Sequence, residues 1–103
     1  MSNKAHTATA RRIAKRYGAT FQDNGGLDVE TGSMTIAVET SATLSAGVAL
    51  LQPLVGERYI AVTNKEALTE ALRLTDGTPI GVMDSHGNIV KAAACNPRGD
   101  DTP

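Results

Sequence analysis

The chain has 103 residues, a formal net charge of −1 and 41% apolar residues, a composition that predicts one globular domain with an aliphatic core. The near-neutral charge argues against a protein that binds polyanions over its whole surface, although local charged patches can still do so. Cys95 is the only cysteine, which excludes an intrachain disulfide and a four-cysteine metal site. Without an apolar run near the ~20 residues of a membrane span, we expect a cytoplasmic protein with no membrane partner.

The first predicted element is a helix from about Lys4 to Tyr17, ended by Gly18. Its apolar residues recur at spacings of three and four positions, typical of one buried stripe: Ala10, Ile13, Ala14 and Tyr17. Its other face carries four cations: Arg11, Arg12, Lys15 and Arg16. Cations late in a helix complement its dipole, but four within six residues is a density that also favours contacts with nucleic-acid phosphates. Both interpretations stay open.

A short strand over residues 19–22 and a turn over residues 23–26 lead into a predicted hairpin, residues 27–41. Thr31 and Gly32 are expected to form its two-residue turn, because glycine adopts the positive φ of a tight hairpin. Strand alternation then separates two faces. The apolar face, expected in the core, holds Leu27, Val29, Met34, Ile36 and Val38. The other face holds Asp28, Glu30, Thr35, Ala37, Glu39 and Ser41.

A helix–strand unit is predicted next. Ser41 or Thr43 can cap a helix that runs to about residue 51. The run RYIAVT, residues 58–63, is nearly all apolar or β-branched, as in a strand covered on both faces. A strand, a helix and a second strand in so short a stretch favour a parallel crossover.

The last third of the domain predicts a helix and a hairpin. Asn64 is expected to cap a helix over residues 65–74. Strands over residues 80–83 and 88–91 flank a turn, Asp84 to Gly87. We therefore expect a single α/β domain over residues 1–94 and a disordered tail over residues 95–103.

The carboxylates of the hairpin are candidate metal ligands. Asp28, Glu30 and Glu39 share one face, and carboxylate oxygens hold the Mg²⁺ or Mn²⁺ ions that polarise a phosphate and activate a water. In the predicted register Glu39 lies four residues beyond Thr35, the partner of Asp28, or about 13 Å along the strand. A shared ion would need a bulge or a strong twist, and a solvated acidic face is the alternative.

The order of elements over residues 4–63, together with Asp28 in LDVE and Glu39 in IAVETS, resembles the PD-(D/E)XK nuclease superfamily. Its members include restriction-endonuclease-like and Holliday-junction-resolvase-like proteins. The resemblance implies an α-β-β-β-α-β core, here followed by a helix and a hairpin. It also implies a metal-dependent DNA endonuclease that uses Mg or Mn, with Asp28 and Glu39 as catalytic metal ligands. Glu30 is a further candidate ligand because it shares their face of the hairpin.

Three further positions of this sequence can be compared with the pattern of that family. Ser41 stands where the resemblance implies a catalytic lysine, so the cation that orients the attacking water would have to come from Lys15 or Lys65. Leu27 stands where a proline usually precedes the aspartate. Gln52 follows the motif at a place where such nucleases often keep a glutamine.

Two functions remain open. The first is a nucleic-acid-binding or nucleic-acid-processing domain, active or degenerate, whose acidic hairpin face and cationic first helix line one pocket and engage DNA or structured nucleic acid. The second is a non-enzymatic, homodimeric interaction module. In that case the C-terminal hairpin, residues 80–91, is the open sheet edge that pairs with a second copy.

Overall fold

The structure, a computed structural model, describes residues 4–21 and 29–94, with side chains from residue 6 onward. The described ranges contain three helices: α1 (Lys4–Arg16), α2 (Leu44–Leu51) and α3 (Lys65–Leu74). They contain six strands: β1 (Thr20–Phe21), β2 (Val29–Glu30), β3 (Met34–Glu39), β4 (Glu57–Val62), β5 (Gly81–Met83) and β6 (Ile89–Lys91). The predicted tail and the predicted turn at residues 23–26 lie outside the described residues. No described helix has the length and apolar character needed to cross a membrane.

The strands form one mixed sheet in which spatial order follows chain order, β1 to β6. β1, β2 and β3 make an antiparallel meander. β3, β4 and β5 are parallel to one another, and β6 returns antiparallel to β5. Each parallel connection contains a helix, α2 in the first and α3 in the second. The predicted mixed α/β class and the parallel crossover are confirmed.

The sheet carries a separate apolar core on each face. α1 covers one face through its predicted stripe, and that core contains Ala10, Ile13, Ala14, Val29, Ile36, Val38, Tyr59, Ala61 and Met83. α2 and α3 cover the other, whose core contains Ala37, Leu44, Val48, Leu51, Ile60, Val62, Ala67, Ala71, Ile80 and Val82. Because successive strand residues point to opposite faces, β3 and β4 contribute to both cores and are buried on both sides.

The register of the hairpin differs from the prediction. Val29 lies opposite Ile36 rather than Met34, and the turn closes with Thr31 N donating to Met34 O at 2.9 Å. Gly32 and Ser33 therefore form the loop, so the predicted Thr31–Gly32 turn is wrong. The cause is the side chain of Thr31, whose Oγ1 accepts from Ser33 N at 3.1 Å and Met34 N at 2.9 Å. The shift changes the pairing by two residues, so Val29, Met34, Ile36 and Val38 keep their predicted face.

The two later helices begin differently. Asn64 caps α3 as predicted, because its Oδ1 accepts from Ala67 N at 2.8 Å. Thr43 is the N-cap residue of α2, but its side chain makes no capping hydrogen bond. Thr43 Oγ1 instead accepts from Thr40 N at 2.9 Å, so the predicted side-chain cap by Ser41 or Thr43 is wrong.

Candidate nucleic-acid interface

The outer side of α1 is cationic, as the sequence predicts. The stripe Ala10, Ile13 and Ala14 is buried against the sheet. The opposite side is exposed and holds all four predicted cations: Arg11, Arg12, Lys15 and Arg16. We call these four residues the basic face of α1. It presents positive charge to solvent over two turns of helix.

Half of the basic face is fixed by the turn between β5 and β6. Arg12 Nη1 donates to Ser85 O at 2.6 Å. Arg16 Nη1 donates to His86 O at 3.0 Å and to Asn88 Oδ1 at 2.6 Å. These acceptors are uncharged, so they hold the two guanidinium groups in place without neutralising them. Sequence reasoning predicted this turn but not its contact with α1, because no local pattern joins segments about seventy residues apart.

The carboxylate of Asp84 stabilises the same turn through hydrogen bonds to other residues of the turn. Its Oδ1 accepts from His86 N at 2.8 Å and Asn88 N at 3.0 Å, and its Oδ2 accepts from Asn88 Nδ2 at 3.0 Å. Burial opposes ionisation of this carboxyl, but the hydrogen bonds from Asn88 and His86 outweigh it and lower the pKa of Asp84. Asn88 thus links a fixed carboxylate to the guanidinium of Arg16. We call residues 84–88 the brace.

Gly87 lets the brace approach α1. Its φ is +84°, a conformation that disfavours L side chains. A β-carbon at this position would lie 3.3 Å from Arg16 Cδ and 3.4 Å from Ile13 Cγ1. The carbonyl of Gly87 also accepts from Tyr17 Oη at 2.6 Å. A larger residue would therefore separate the brace from the helix that it positions.

Glu39 lies on the other face of the sheet from the basic face. It ends β3 on the side of Ala37, next to α2, and is only 9% exposed. A β-carbon built at Gly47 of α2 would lie 2.5 Å from Glu39 Cγ and 2.6 Å from Oε2. The expectation that Glu39 shares a pocket with Arg12 and Lys15 is wrong, because Ile36 and Val38 of the same strand face α1 instead.

The other predicted acids are not gathered around Glu39 within the described residues. Glu30 is exposed and lies opposite Thr35, four residues from Glu39 or about 13 Å along the strand. Asp28 lies outside the described residues. Among the residues that the structure describes, no group of three or more His, Cys, Asp or Glu residues could hold a metal ion.

The remaining candidates lie near the ends of α2 and at the start of α3. Ser41 is exposed in the turn that follows β3, and Gln52 is the exposed C-cap residue of α2. The main chain of Gln52 has a structural role, since its carbonyl accepts from Arg58 Nη1 at 3.2 Å. Lys65, the possible substitute for the missing lysine, is exposed in the first turn of α3.

A cavity of about 240 Å³ lies beside the brace. It opens where β4 and β5 end, between the start of α3 and the first residues of the brace. Its lining residues are Asn64, Lys65, Leu68, Asp84, Ser85 and His86. Sequence reasoning missed this cavity. Polar residues shortly after each of two adjacent parallel strands could have predicted it, because ligands of α/β sheets bind beyond the carboxyl ends of the strands.

The site thus consists of the basic face of α1, the brace that holds two of its arginines, and the cavity on the far side of the brace. The buried carboxylate of Glu39 stands apart from it, under α2. Comparisons of the chain with protein-family models, with curated proteins and with solved structures found no match.

Proposed function

We propose that this protein is a nucleic-acid-binding or nucleic-acid-processing domain with a nuclease-like core. The observation that carries the proposal is the basic face of α1, where two exposed arginines are held by uncharged acceptors at 2.6–3.0 Å. Positioned cations that keep their charge suit a phosphate backbone, whose counterions are released on binding. This arrangement supports the proposal of a DNA or structured nucleic-acid partner.

The topology supports the same proposal. One helix, a three-stranded meander, a second helix and a fourth strand parallel to the third occur in the order that the PD-(D/E)XK resemblance implies. A shared arrangement of elements does not by itself establish an activity. It is the reason to test for cleavage as well as for binding.

Catalysis, if present, would use Asp28 and Glu39 with Mg or Mn. Ser41 in place of the lysine is the reason that we rank binding above cleavage.

One assay distinguishes the active from the degenerate form. Single-stranded, duplex and branched DNA are incubated with the protein and either Mg²⁺ or Mn²⁺, and binding is measured in parallel by fluorescence anisotropy with EDTA. An active nuclease loses metal-dependent cleavage in a folded Glu39→Ala variant. Intact DNA with both metals excludes catalysis and leaves a binding domain. Absence of binding to all three DNA forms excludes the proposal.

The second candidate function, a homodimeric interaction module, is favoured by the edge strand β6. Its first two residues are unusually exposed for apolar side chains, Ile89 at 48% and Val90 at 47%. An open apolar edge strand can pair with a second copy. Light scattering at micromolar concentration tests this candidate: a dimer that Ile89→Lys dissociates supports it, and a monomeric wild-type protein contradicts it. Leu50→Lys, at a 44% exposed position on α2, is the matched control.

A cytoplasmic location belongs to the same proposal. The single cysteine, Cys95, fits a reducing compartment, where a DNA-binding or DNA-processing domain would meet its substrate.

A further inference from the structure

We propose that the cavity beside the brace binds one unpaired nucleobase. The inference rests on the proposed function, because it assigns to the same nucleic-acid partner a second point of contact. The cavity lies where two adjacent parallel strands, β4 and β5, end. Its walls come from the first turn of α3 and from residues 84–86 of the brace.

The size of the cavity is compatible with a small planar group. Its volume of about 240 Å³ exceeds what a single water occupies, about 30 Å³ in the liquid. It is below the roughly 300–1,000 Å³ of pockets for drug-sized ligands. A single planar base fits between these limits.

The lining offers both an apolar surface and hydrogen-bonding groups. Leu68 is half-buried and supplies apolar area against which a base can lie. Asn64 Oδ1 is already used by Ala67 N, so the amide NH₂ is the group that Asn64 can offer. Three of the roughly four acceptor sites of the Asp84 carboxylate are occupied, which leaves one acceptor. Donors and acceptors beside an apolar wall suit the edge and face of an unstacked base.

The position of the cavity connects it to the phosphate contacts. Ser85 and His86 line the cavity, and their carbonyls accept the hydrogen bonds from Arg12 and Arg16. A base in the cavity would therefore be separated from the basic face only by the backbone of residues 85 and 86. Lys65, exposed at the lining, adds a cation on the α3 side. Since Asp84 already fixes the turn, the site needs little ordering on binding.

The direct test is an NMR titration of ¹⁵N-labelled protein with nucleoside 5′-monophosphates, compared with ribose 5-phosphate and inorganic phosphate. We expect the chemical-shift changes to be concentrated at residues 64–68 and 84–86. They should occur only with ligands that contain a base. Equal shifts with ribose 5-phosphate, or shifts confined to α1, would overturn the base site. That outcome would leave phosphate binding by the basic face untouched.

A variant provides a second readout with oligonucleotides. Ser85→Tyr fills the cavity but keeps the carbonyl that holds Arg12. We expect its affinity for single-stranded DNA to fall about tenfold, as for the loss of one stacked base, with affinity for blunt duplex unchanged. Thr69→Tyr, at an exposed position of α3 that does not line the cavity, is the control.

The two proposals fail in different ways. Unchanged single-strand affinity in a folded Ser85→Tyr variant overturns the base site alone, whereas a wild-type protein that binds neither single strand nor duplex overturns the proposed function. If Ser85→Tyr does not fold, the titration of the wild-type protein decides the question.

Discussion

Position 47 requires glycine because the side chain of Glu39 occupies the space where a β-carbon would stand. The nearest atoms of Glu39 would lie 2.5–2.7 Å from that carbon, closer than real β-carbon contacts. Glu39 is thereby packed against the backbone of α2 at the end of β3. The pair fixes both the depth of the helix on the sheet and the position of a carboxylate that is a candidate catalytic group.

We predict that Gly47→Ala lowers the free energy of unfolding by about 1–3 kcal/mol, the usual cost of overpacking a core. The cause is steric, so it should disappear when the Glu39 side chain is shortened. In a Glu39→Ala background the same Gly47→Ala change should be neutral or stabilising by up to about 1 kcal/mol, since alanine has the better helix propensity. Urea unfolding of the four proteins measures this coupling, and additive effects of the two substitutions would contradict it.

Asp84 makes the brace sensitive to acid. The pKa of its carboxyl is lowered in the folded protein, as hydrogen bonds from Asn88 and His86 outweigh the opposing effect of burial. A lowered pKa contributes stability that is present above the unfolded-state pKa of about 3.9 and is lost as the pH falls through the lower folded-state pKa. The carboxylate therefore supports the turn fully at neutral pH.

We predict that Asp84→Ala costs about 1–3 kcal/mol at pH 7, the range for losing hydrogen bonds to a charged group. The difference from wild type should shrink below a pH of about 4. Asp84→Asn, which keeps an acceptor for the two backbone N–H groups, should cost less. Urea unfolding between neutral and acidic pH checks the sign. A difference that grows with acidity would show that the carboxylate does not stabilise the turn.

Among the secondary-structure elements, α2 depends on a residue of the strand that follows it. Arg58 of β4 is only 4% exposed. Its Nη1 donates to Leu51 O at 3.1 Å and to Gln52 O at 3.2 Å, and its Nε donates to Gly56 O at 3.1 Å. These are carbonyls at the end of the helix and in the following loop, which lack intrahelical partners. One guanidinium thus ends α2 and joins it to β4.

We predict that Arg58→Met lowers the free energy of unfolding by about 2–4 kcal/mol, because it leaves several carbonyls without their donor. The matched control is Arg73→Met on α3. Arg73 is exposed and pairs with Glu70 on the surface, where solvent screening makes the interaction weak. Urea unfolding of both variants tests the difference, and equal losses would contradict the structural role of Arg58.

Features specified by local sequence signals could be predicted, whereas features that depend on tertiary contacts could not. α3 matches its predicted bounds because its signals are local: Asn64 caps one end, and Gly77 follows the other with φ +79°. The hairpin register could not be predicted, because the side chain of Thr31 competes for the turn. The burial of Glu39 under Gly47 and the contact of Arg12 with the brace could not be predicted either, since each depends on tertiary packing.

In the whole molecule, the sheet separates two charged groups that the sequence predicted in one pocket. The basic face of α1 lies on one side, and Glu39 lies under α2 on the other. The brace runs between the basic face and the cavity at the carboxyl edge of the sheet. Nucleic acid on α1 would therefore reach Glu39 only around an edge of the sheet. This arrangement favours the basic face as the primary contact.

Two cations of the basic face can be substituted to test binding. The side chains of Arg11 and Lys15 make no hydrogen bond or ion pair that the structure shows within residues 6–21 and 29–94, so changing them should leave the fold intact. Arg11→Gln with Lys15→Gln changes the net charge by the same amount as Arg73→Glu, which lies at the far end of α3. Comparing the two variants distinguishes the effect of losing a local contact from the effect of changing the total charge of the protein.

The salt dependence of duplex DNA affinity, measured by fluorescence anisotropy for wild type and these two variants, tests the central claim most directly. Each lost phosphate contact should lower the slope of log Kobs against log salt by about 0.9. We predict weaker binding and a slope reduced by about 2 for the Arg11 and Lys15 double variant, with Arg73→Glu close to wild type. Equal affinities and slopes for the double variant and wild type, or equal losses in both variants, would contradict a phosphate-binding role for the basic face of α1.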